Sequence, residues 1–346
     1  MKKITLIILL ISFCGLHAFP ADTAKPKDGE GVYKFLLNHG RNPKDHYDIF
    51  VEMNKNKLGK NNSLLKGVTY TLPPLTAGKA TVRGAAGTSG ASSKEVTKKG
   101  SVHTESLFGK SYSSYTVNSS QLSGATFYLV SGHGGPDCGA IGYADGIAIH
   151  EKEYAYDIML RLARKLMMEG ATVHIIIQDR NDGIRDAKFL KNTSRGETCR
   201  GKEIPGSQKK RLQQRCDEIN ALSRKSNDKY QRAVFIHLDS RSKNQKLDVF
   251  FYYNRDSASG RNLARTMQST FKSQYQKHQP DRGFSGTVSP RDLYVIKNTN
   301  PVSLFAELGN IQNSSDQKRF LASSQRQVLA DWMCSGLIAD YMNAKK

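Results

Sequence analysis

From Gly124 onward, short apolar runs alternate regularly with longer runs of helical periodicity. The short runs, which are typical of β-strands, are 126–130, 172–177, 233–236, 249–253, 293–296 and 303–306. The longer runs are 151–169, 208–223, 260–275 and 316–341. This alternation predicts an α/β fold: a mixed, mostly parallel twisted sheet of about six strands with helices on both faces.

One connection in this pattern is much longer than the others. Residues 179–208, between the second and third predicted strands, are mostly polar and include Cys199. A connection of this length is typical of a functional loop or lid, or of a disordered insertion. The composition is compatible with each of these.

Three polar side chains follow the ends of predicted strands. His133 comes after a short turn and has glycines on both sides, while His237 and Glu307 directly follow apolar runs. In open α/β sheets, ligands bind outside the carboxyl ends of the strands. If these strands are parallel neighbours, the three side chains meet at one rim of the sheet.

A fourth candidate lies at the start of the first predicted helix. The apolar stripe of that helix, stepped back by one turn, includes Glu151, so this carboxylate is expected on the core side and near the rim. Glu153 lies instead on the face of Asp157 and is predicted to be solvated. A carboxylate at a helix start is also common as a simple partner of the helix dipole, and His150 is a rival ligand.

Two histidines and a glutamate form the usual ligand set of a hydrolytic zinc, with the fourth position left to water. In such sites a second carboxylate, which is not a ligand, takes the proton of that water. His133, Glu151 and His237 are therefore the predicted Zn²⁺ ligands. Glu307 remains for the proton transfer.

The region from Gly124 to Tyr341 resembles the zinc-dependent N-acetylmuramoyl-L-alanine amidases of the Amidase_3 family. The matching landmarks follow the family's order: 132–137 with 139–142, 151–153 with 169–170, Arg211, Arg215, Asn220, 235–237, 282–283, 293–295 and 306–313. The resemblance implies zinc at the three ligands and Glu307 as general base and acid. It also implies hydrolysis of the amide bond between N-acetylmuramic acid and L-alanine in peptidoglycan.

The chain departs from the family's pattern beside the first histidine. Val130 stands where the family usually has Asp, Cys138 where it has Pro or a small residue, and Leu308 where it has Thr. None of these departures removes a ligand. The departures at Val130 and Cys138 concern the surroundings of His133, which tune the affinity for a metal.

Three further residues are predicted to bind substrate. Arg241 and Arg282 lie near the predicted rim and could hold carboxylates of the stem peptide or simply be solvated. Asn310 belongs to the motif around Glu307.

The N-terminal part predicts export and wall binding. Residues 1–21 have the basic start, apolar centre and small residues of a signal peptide, which predicts a periplasmic or otherwise extracytoplasmic protein. Residues 29–74 resemble a LysM module in 29–36, 53–54 and 65–73, which implies binding to N-acetylglucosamine-containing glycan. Residues 75–123, rich in Gly, Ser, Thr and Lys, are predicted to be a flexible linker to a catalytic domain at 124–346.

The net charge of +21 predicts an acidic polymer as partner. Because the chain begins like an exported protein, an anionic cell envelope is favoured over nucleic acid. No segment beyond the signal peptide is apolar enough to predict a transmembrane span. Four cysteines follow the signal peptide, namely Cys138, Cys199, Cys216 and Cys334. In an oxidising compartment they could form two disulfides in any of three pairings, and Cys199–Cys216 is the favoured pair.

Two alternatives to the amidase stay open at this stage. One is a zinc peptidase that cuts within the stem peptide and needs the same chemistry. The other is a wall-binding protein without catalysis, which the four site residues argue against. A protein activator that moves residues 179–208 is a further possibility.

Overall fold

The computed structural model describes residues 22–41, 43–59, 62–73, 99–193, 196–241 and 243–345. The predicted signal peptide at 1–21, and residues 75–98 of the predicted linker, lie outside these ranges. The chain divides into two compact units, Met1–Ala91 and Ser92–Lys346.

The first unit has the order strand, helix, helix, strand. Strand β1 (Thr23–Ala24) pairs antiparallel with β2 (Tyr70–Thr71), and helices α1 (Val32–Asn38) and α2 (Pro43–Asn54) lie between them in sequence. The buried apolar side chains of this unit are Val32, Phe35, Leu36, Phe50, Tyr70 and Leu72. The unit begins before residue 29, since β1 completes its sheet. The LysM interpretation of this unit stays a prediction.

The expectation of a flexible linker is wrong for residues 99–123. Strands β3 (Val102–Thr104) and β4 (Ser114–Thr116) form an antiparallel hairpin. Phe108 between them is fully buried in the main core. Burial of one such side chain stabilises the folded state by about 1.5–3 kcal/mol. Few apolar residues are present in this segment, but four of them are buried: Leu107, Phe108, Val117 and Leu122.

The second unit is built on a six-stranded sheet, as predicted. Its strands are β5 (Ala125–Ser131), β8 (Thr172–Ile175), β12 (Tyr230–Asp239), β13 (Phe250–Tyr253), β14 (Thr287–Pro290) and β15 (Val302–Asn310). The order across the sheet is β14-β13-β15-β12-β5-β8, and every neighbouring pair is parallel except β13 with β15. The mixed, mostly parallel α/β fold is thereby confirmed.

Helices cover both faces of this sheet because successive strand residues point to opposite sides. On one face, Leu129 and Ile236 pack with helices α3 (Glu151–Met168), α5 (Ala258–His278) and α8 (Ser323–Ala344). On the other face, Val130 and Phe235 pack with α4 (Gln208–Lys225) and α6 (Tyr294–Lys297). The predicted helix 316–341 is two helices, α7 (Ser314–Leu321) and α8, which meet at Ala322.

One predicted strand is wrong. The short apolar run 293–296 forms the helix α6, and the sixth strand is β14 instead. Val295 and Ile296 are both buried against the sheet. A run this short has no periodicity that separates a strand from a buried helical turn.

The long polar connection contains ordered β-structure in its described residues. Strand β9 (Ile177–Asp179) pairs antiparallel with β10 (Glu197–Cys199), which pairs with β11 (Lys202–Glu203). A second small hairpin, β6 (Ile141–Ala144) and β7 (Ile147–His150), runs directly into α3. Both small sheets flank the rim at which the predicted ligands lie.

The predicted Cys199–Cys216 disulfide is wrong for the described part of the chain, where both residues are free thiols buried in the same cluster. The sulfur of Cys216 lies 3.7 Å from the Thr299 hydroxyl and 3.8 Å from the Val295 carbonyl. Among the residues described, the helices are too short or too polar to cross a bilayer.

Candidate metal and active site

The structure brings the three predicted ligands together at one rim. His133 lies in the loop after β5, His237 near the end of β12, and Glu151 at the first position of α3. One ligand atom from each of the three lies within 4.8 Å of the others. The cluster forms because the parallel pairing of β5 with β12 places both strand ends at the same edge.

Glu151 is the centre of this cluster. One of its oxygens, Oε2, lies 3.1 Å from Nε2 of His133, and the other, Oε1, lies 3.0 Å from Nδ1 of His237. Backbone N–H groups of Ala140 and Leu238 donate to the same carboxylate at 2.9 and 3.1 Å. Burial would raise the pKa of Glu151, but the hydrogen bonds and charges of the two histidines lower it well below its usual range. The carboxylate is therefore ionised and prepared to bind a cation.

Asp137 orients the first histidine. Its Oδ2 lies 3.1 Å from Nδ1 of His133 and 2.9 Å from Nη2 of Arg211, and its Oδ1 accepts the Gly139 N–H at 3.1 Å. A carboxylate on the far nitrogen of a metal-binding histidine fixes the ring and its tautomer. Asp137 thus orients His133 although Val130 stands where the family usually has an Asp. Burial lowers the pKa of His133, but the bonds to Asp137 and Glu151 outweigh it and raise the pKa to about 10.

Glycines make the close approach possible. A Cβ atom at Gly132 would lie 2.3 Å from Cε1 of His237, and one at Gly139 would lie 2.7 Å from Oε2 of Glu151. His133 itself has a φ of 62°, a conformation that costs energy for a residue other than glycine. Such strain is typical of functional sites, where the surroundings hold the conformation in place.

The second histidine is held by packing. Its ring stacks on Phe305 with 4.2 Å between centroids and meets the ring of His133 edge-on at 5.0 Å. Two imidazoles and a buried, ionised carboxylate fit the donor set of zinc. The chemistry of the donors and the glycine cradle around them therefore support a metal site at His133, Glu151 and His237.

Glu307 stands opposite His237 in the pairing of β12 with β15. Its Oε2 is buried and has no hydrogen-bond partner among the described residues. Burial raises the pKa of Glu307 well above its usual range, and the negative charges of Glu151 and Asp239 raise it further. An unpaired acid of this kind beside a ligand cluster is suited to accept and return a proton.

Other candidates on the first helix have different roles. His150 is not part of the ligand cluster. The expectation that Glu153 is solvated is wrong, because its side chain is buried and Arg185 of the long connection binds it at 2.9 Å. Asp157 on the same face is also buried, between Arg161 and Arg326. The helix faces that periodicity assigns to solvent are covered by segments from elsewhere in the chain.

The predicted substrate residues lie in three settings. Arg241 binds Asp239 at 2.7 Å and is 38% exposed in its side chain. Arg282 forms an ion pair with Asp248 and lies over the ring of Tyr275. Asn310 is fully buried: its Oδ1 accepts the N–H groups of Arg241 and Gln312, and its Nδ2 donates to Gln245. Contact of these residues with substrate stays a prediction, and in this conformation Asn310 has no exposed surface for it.

The long connection supplies a support that sequence reasoning missed. Glu197 on β10 accepts the N–H of Gly135 in the histidine loop, and Lys152 lies 3.2 Å from its Oε1. Lys152 is itself buried beside Glu151 on α3. No local pattern around Glu197 indicates this contact, since its partner lies 62 residues away. The sequence indicated Asp137 only weakly, as an acidic residue four positions after His133.

The family comparison covers the part of the chain that contains this site. The profile of the N-acetylmuramoyl-L-alanine amidase family, Amidase_3, matches residues 128–339, which is more than half of the chain and contains all four site residues. The chain belongs to this family. It is accordingly an enzyme of the N-acetylmuramoyl-L-alanine amidase class, which hydrolyses an amide of peptidoglycan.

Individual relatives are more distant. The Bacillus subtilis (strain 168) protein YqiI is 27% identical over 221 residues, which is 64% of this chain and 86% of that protein. An N-acetylmuramoyl-L-alanine amidase from Clostridium difficile 630 is 21% identical, with a TM-score of 0.46, over 64% of this chain and 98% of that one. CwlD from Clostridioides difficile, solved with the lipoprotein GerS, is 20% identical, with a TM-score of 0.46, over 63% and 98%.

Proposed function

We propose that this chain cleaves the bond between the lactyl group of N-acetylmuramic acid and the L-alanine of the stem peptide, with zinc held by His133, Glu151 and His237. The observation that carries the proposal is the compact ligand cluster with the unpaired acid Glu307 on the neighbouring strand. A zinc ion bound there would polarise the scissile carbonyl and lower the pKa of water.

The residues of the chain would handle the proton. Glu307, as the carboxylate, accepts a proton from the attacking water while the oxygen forms its bond to the carbonyl carbon. The same carboxyl group then gives the proton to the L-alanine nitrogen as the carbon–nitrogen bond breaks. The products are a muramic acid carboxylate and a peptide with a free amino terminus, so the atoms of one water are accounted for.

Digestion of purified peptidoglycan tests this proposal. Wild-type protein and Glu307→Ala are compared, and the released fragments are identified by mass spectrometry. We expect free stem peptides that begin with L-alanine from the wild type and almost none from the variant. Fragments cut between amino acids would instead identify a peptidase, and a purified protein without zinc would favour a wall-binding protein without catalysis.

Export and wall attachment are part of the same proposal. Residues 1–21 would direct the chain to an extracytoplasmic compartment, and the N-terminal unit would bind glycan as a LysM-like module. The net charge of +21 adds attraction to an anionic wall, and salt screens such attraction. Sedimentation of the full chain with insoluble peptidoglycan, over a salt series, separates the two contributions: glycan contact persists at high salt and charge attraction does not.

Regulation by a protein partner is a further part of the proposal. The structural neighbour CwlD was solved in complex with the lipoprotein GerS. In this chain the support from Glu197 to the histidine loop gives an activator a segment through which to act. The test is whether substitution of Glu197 changes metal content without a partner present.

A further inference from the structure

A cavity of about 110 Å³ lies beside the ligand cluster, between the sheet and the N-terminal half of α4. His133 and His237 line one end of it. Phe235 and Phe305 line the sheet side, and Arg211 and Arg215 project from α4. A group bound in this cavity would therefore lie next to the reacting bond.

The two arginines differ in how their charges are neutralised. Arg211 pairs with the carboxylate of Asp137 at 2.9 Å. Arg215 is only 4% exposed, and among the described residues it has no ion pair with a carboxylate. One Nη atom of Arg215 donates to the backbone carbonyl of His133, whereas its Nε has no hydrogen-bond partner in the described part of the chain.

A buried guanidinium without a carboxylate is uncommon, because removing a charge from water is costly unless it is paired. Arginine presents its N–H groups in a planar fork that matches the two oxygens of a carboxylate. Arg215 lines the cavity, so there is room for such an anion beside this side chain. The chemistry therefore points to a ligand with a carboxylate and a small apolar part that contacts Phe235 and Phe305.

We infer that Arg215 binds a carboxylate of the stem peptide, namely the α-carboxylate of the D-glutamate that follows L-alanine. The inference rests on the proposed function. An extended residue spans at most about 3.6 Å, so a group on the second residue lies within about 7 Å of the scissile bond. That reach matches a cavity that has both metal-binding histidines in its wall.

The consequence is specificity. A site built to bind a carboxylate rejects the matching amide, because the charged donor then has no anion. We expect the enzyme to prefer stem peptides with a free D-glutamate α-carboxyl group over peptides in which that group is amidated to D-isoglutamine.

Two substrates that differ only at this group provide the test: N-acetylmuramoyl-L-alanyl-D-glutamate and N-acetylmuramoyl-L-alanyl-D-isoglutamine. For the wild type we expect kcat/KM to be about ten- to a hundredfold higher for the acid, mostly through KM. In Arg215→Gln the ratio should fall to about one, and Arg215→Lys, which keeps the charge without the fork, should be intermediate. Arg224→Gln, an exposed arginine on the same helix, should keep the wild-type ratio.

A purely structural role for Arg215 makes a different prediction, since this residue also holds the His133 carbonyl. Loss of that bond would lower activity on both substrates equally and would lower the zinc content of the protein. An unchanged substrate ratio in Arg215→Gln, or a wild-type ratio near one, would overturn the inference.

A binding measurement separates this inference from the proposed function. Calorimetry with the product dipeptide L-alanyl-D-glutamate, and with L-alanyl-D-isoglutamine, needs no turnover. We expect the acid to bind the wild type at least about tenfold more tightly and to lose this advantage in Arg215→Gln. If the wild type cleaves neither substrate but still binds the acid selectively, the amidase proposal fails and the carboxylate site stands.

Discussion

Two carboxylates on helix α3, Glu151 and Asp157, are both buried and yet are neutralised in opposite ways. Asp157 is surrounded by fixed cations, with Arg161 at 2.8 Å and Arg326 at 2.6 Å. Glu151 has no arginine or lysine on its oxygens among the described residues, only two histidines and two backbone N–H groups.

The difference shows how burial serves structure in one place and chemistry in the other. A buried carboxylate with permanent cations is complete and can only stabilise the packing around it. A buried carboxylate held by imidazoles can exchange those protons for a metal, because neutral imidazole is itself a metal ligand. Glu307 extends the second pattern, since it lacks even a hydrogen bond at Oε2 within the described residues.

The largest expected effect separates the two acids of the active site. Glu307→Gln should lower kcat by about 10²–10⁴-fold, because the amide cannot accept the proton that the Glu307 carboxylate would carry. Its zinc content and thermal midpoint should stay at wild-type values. Glu151→Gln should instead lose zinc, as measured by atomic absorption. Wild-type activity in Glu307→Gln would contradict its role as base.

The next effect tests the structural side of the comparison. Arg326→Met leaves Asp157 without one of its cations and also removes the hydrogen bonds that Arg326 donates to the carbonyl groups of Arg185 and Ala187. We expect a loss of about 3–5 kcal/mol in the free energy of unfolding, measured with urea. Arg224→Met, at an exposed position, should change it little. An equal loss of stability in both variants would contradict the claim that the buried ion pairs of Arg326 stabilise the fold.

A third prediction concerns His174 on β8, a histidine outside the site, and the dependence of stability on pH. Burial and, to a smaller extent, the positive charge of nearby Arg200 together lower the pKa of His174 to about 4. The unfolded chain binds this proton near pH 6.5 and the folded chain only near pH 4. Stability is therefore full above pH 6.5 and falls as the pH drops toward 4, by up to about 3 kcal/mol.

Urea unfolding between pH 4 and pH 7 measures this dependence. His174→Gln should lack this share of the acid sensitivity, while His278→Gln, at an exposed position on α5, should keep it. Parallel pH curves for wild type and His174→Gln would rule out the explanation from burial.

The smallest effect concerns the support of His133. Asp137→Asn keeps the shape of the side chain but removes the negative charge that faces Nδ1 of His133. The affinity for zinc should therefore fall by about 10–100-fold. Competition with a zinc chelator measures the change. Asp145→Asn, an exposed acid on the neighbouring hairpin, is the matched control and should leave the affinity unchanged. Equal affinities for the two variants would show that His133 needs no carboxylate partner.

The positions of His133, His237 and Glu307 could be predicted because each follows an apolar run, and parallel strands end at a common rim. Glu151 could be predicted from the stripe of α3. The burial of Glu153 could not, because Arg185 and the residues near it come from a connection whose path has no periodic pattern. The prediction of a strand at 293–296 was wrong for a different reason, because the run is too short to show a periodicity.

The sequence by itself determined the class of fold, the four residues of the site and the chemistry for which they are suited, because periodicity and strand ends are local properties. The tertiary structure decided how each charge is neutralised. In the folded chain Asp137 pairs with His133 and Arg326 pairs with Asp157, whereas Arg215 has no carboxylate partner within the described residues. Those assignments depend on which distant segments meet in space, and the electrostatic energy of a buried group depends on its nearest neighbours rather than on its place in the chain.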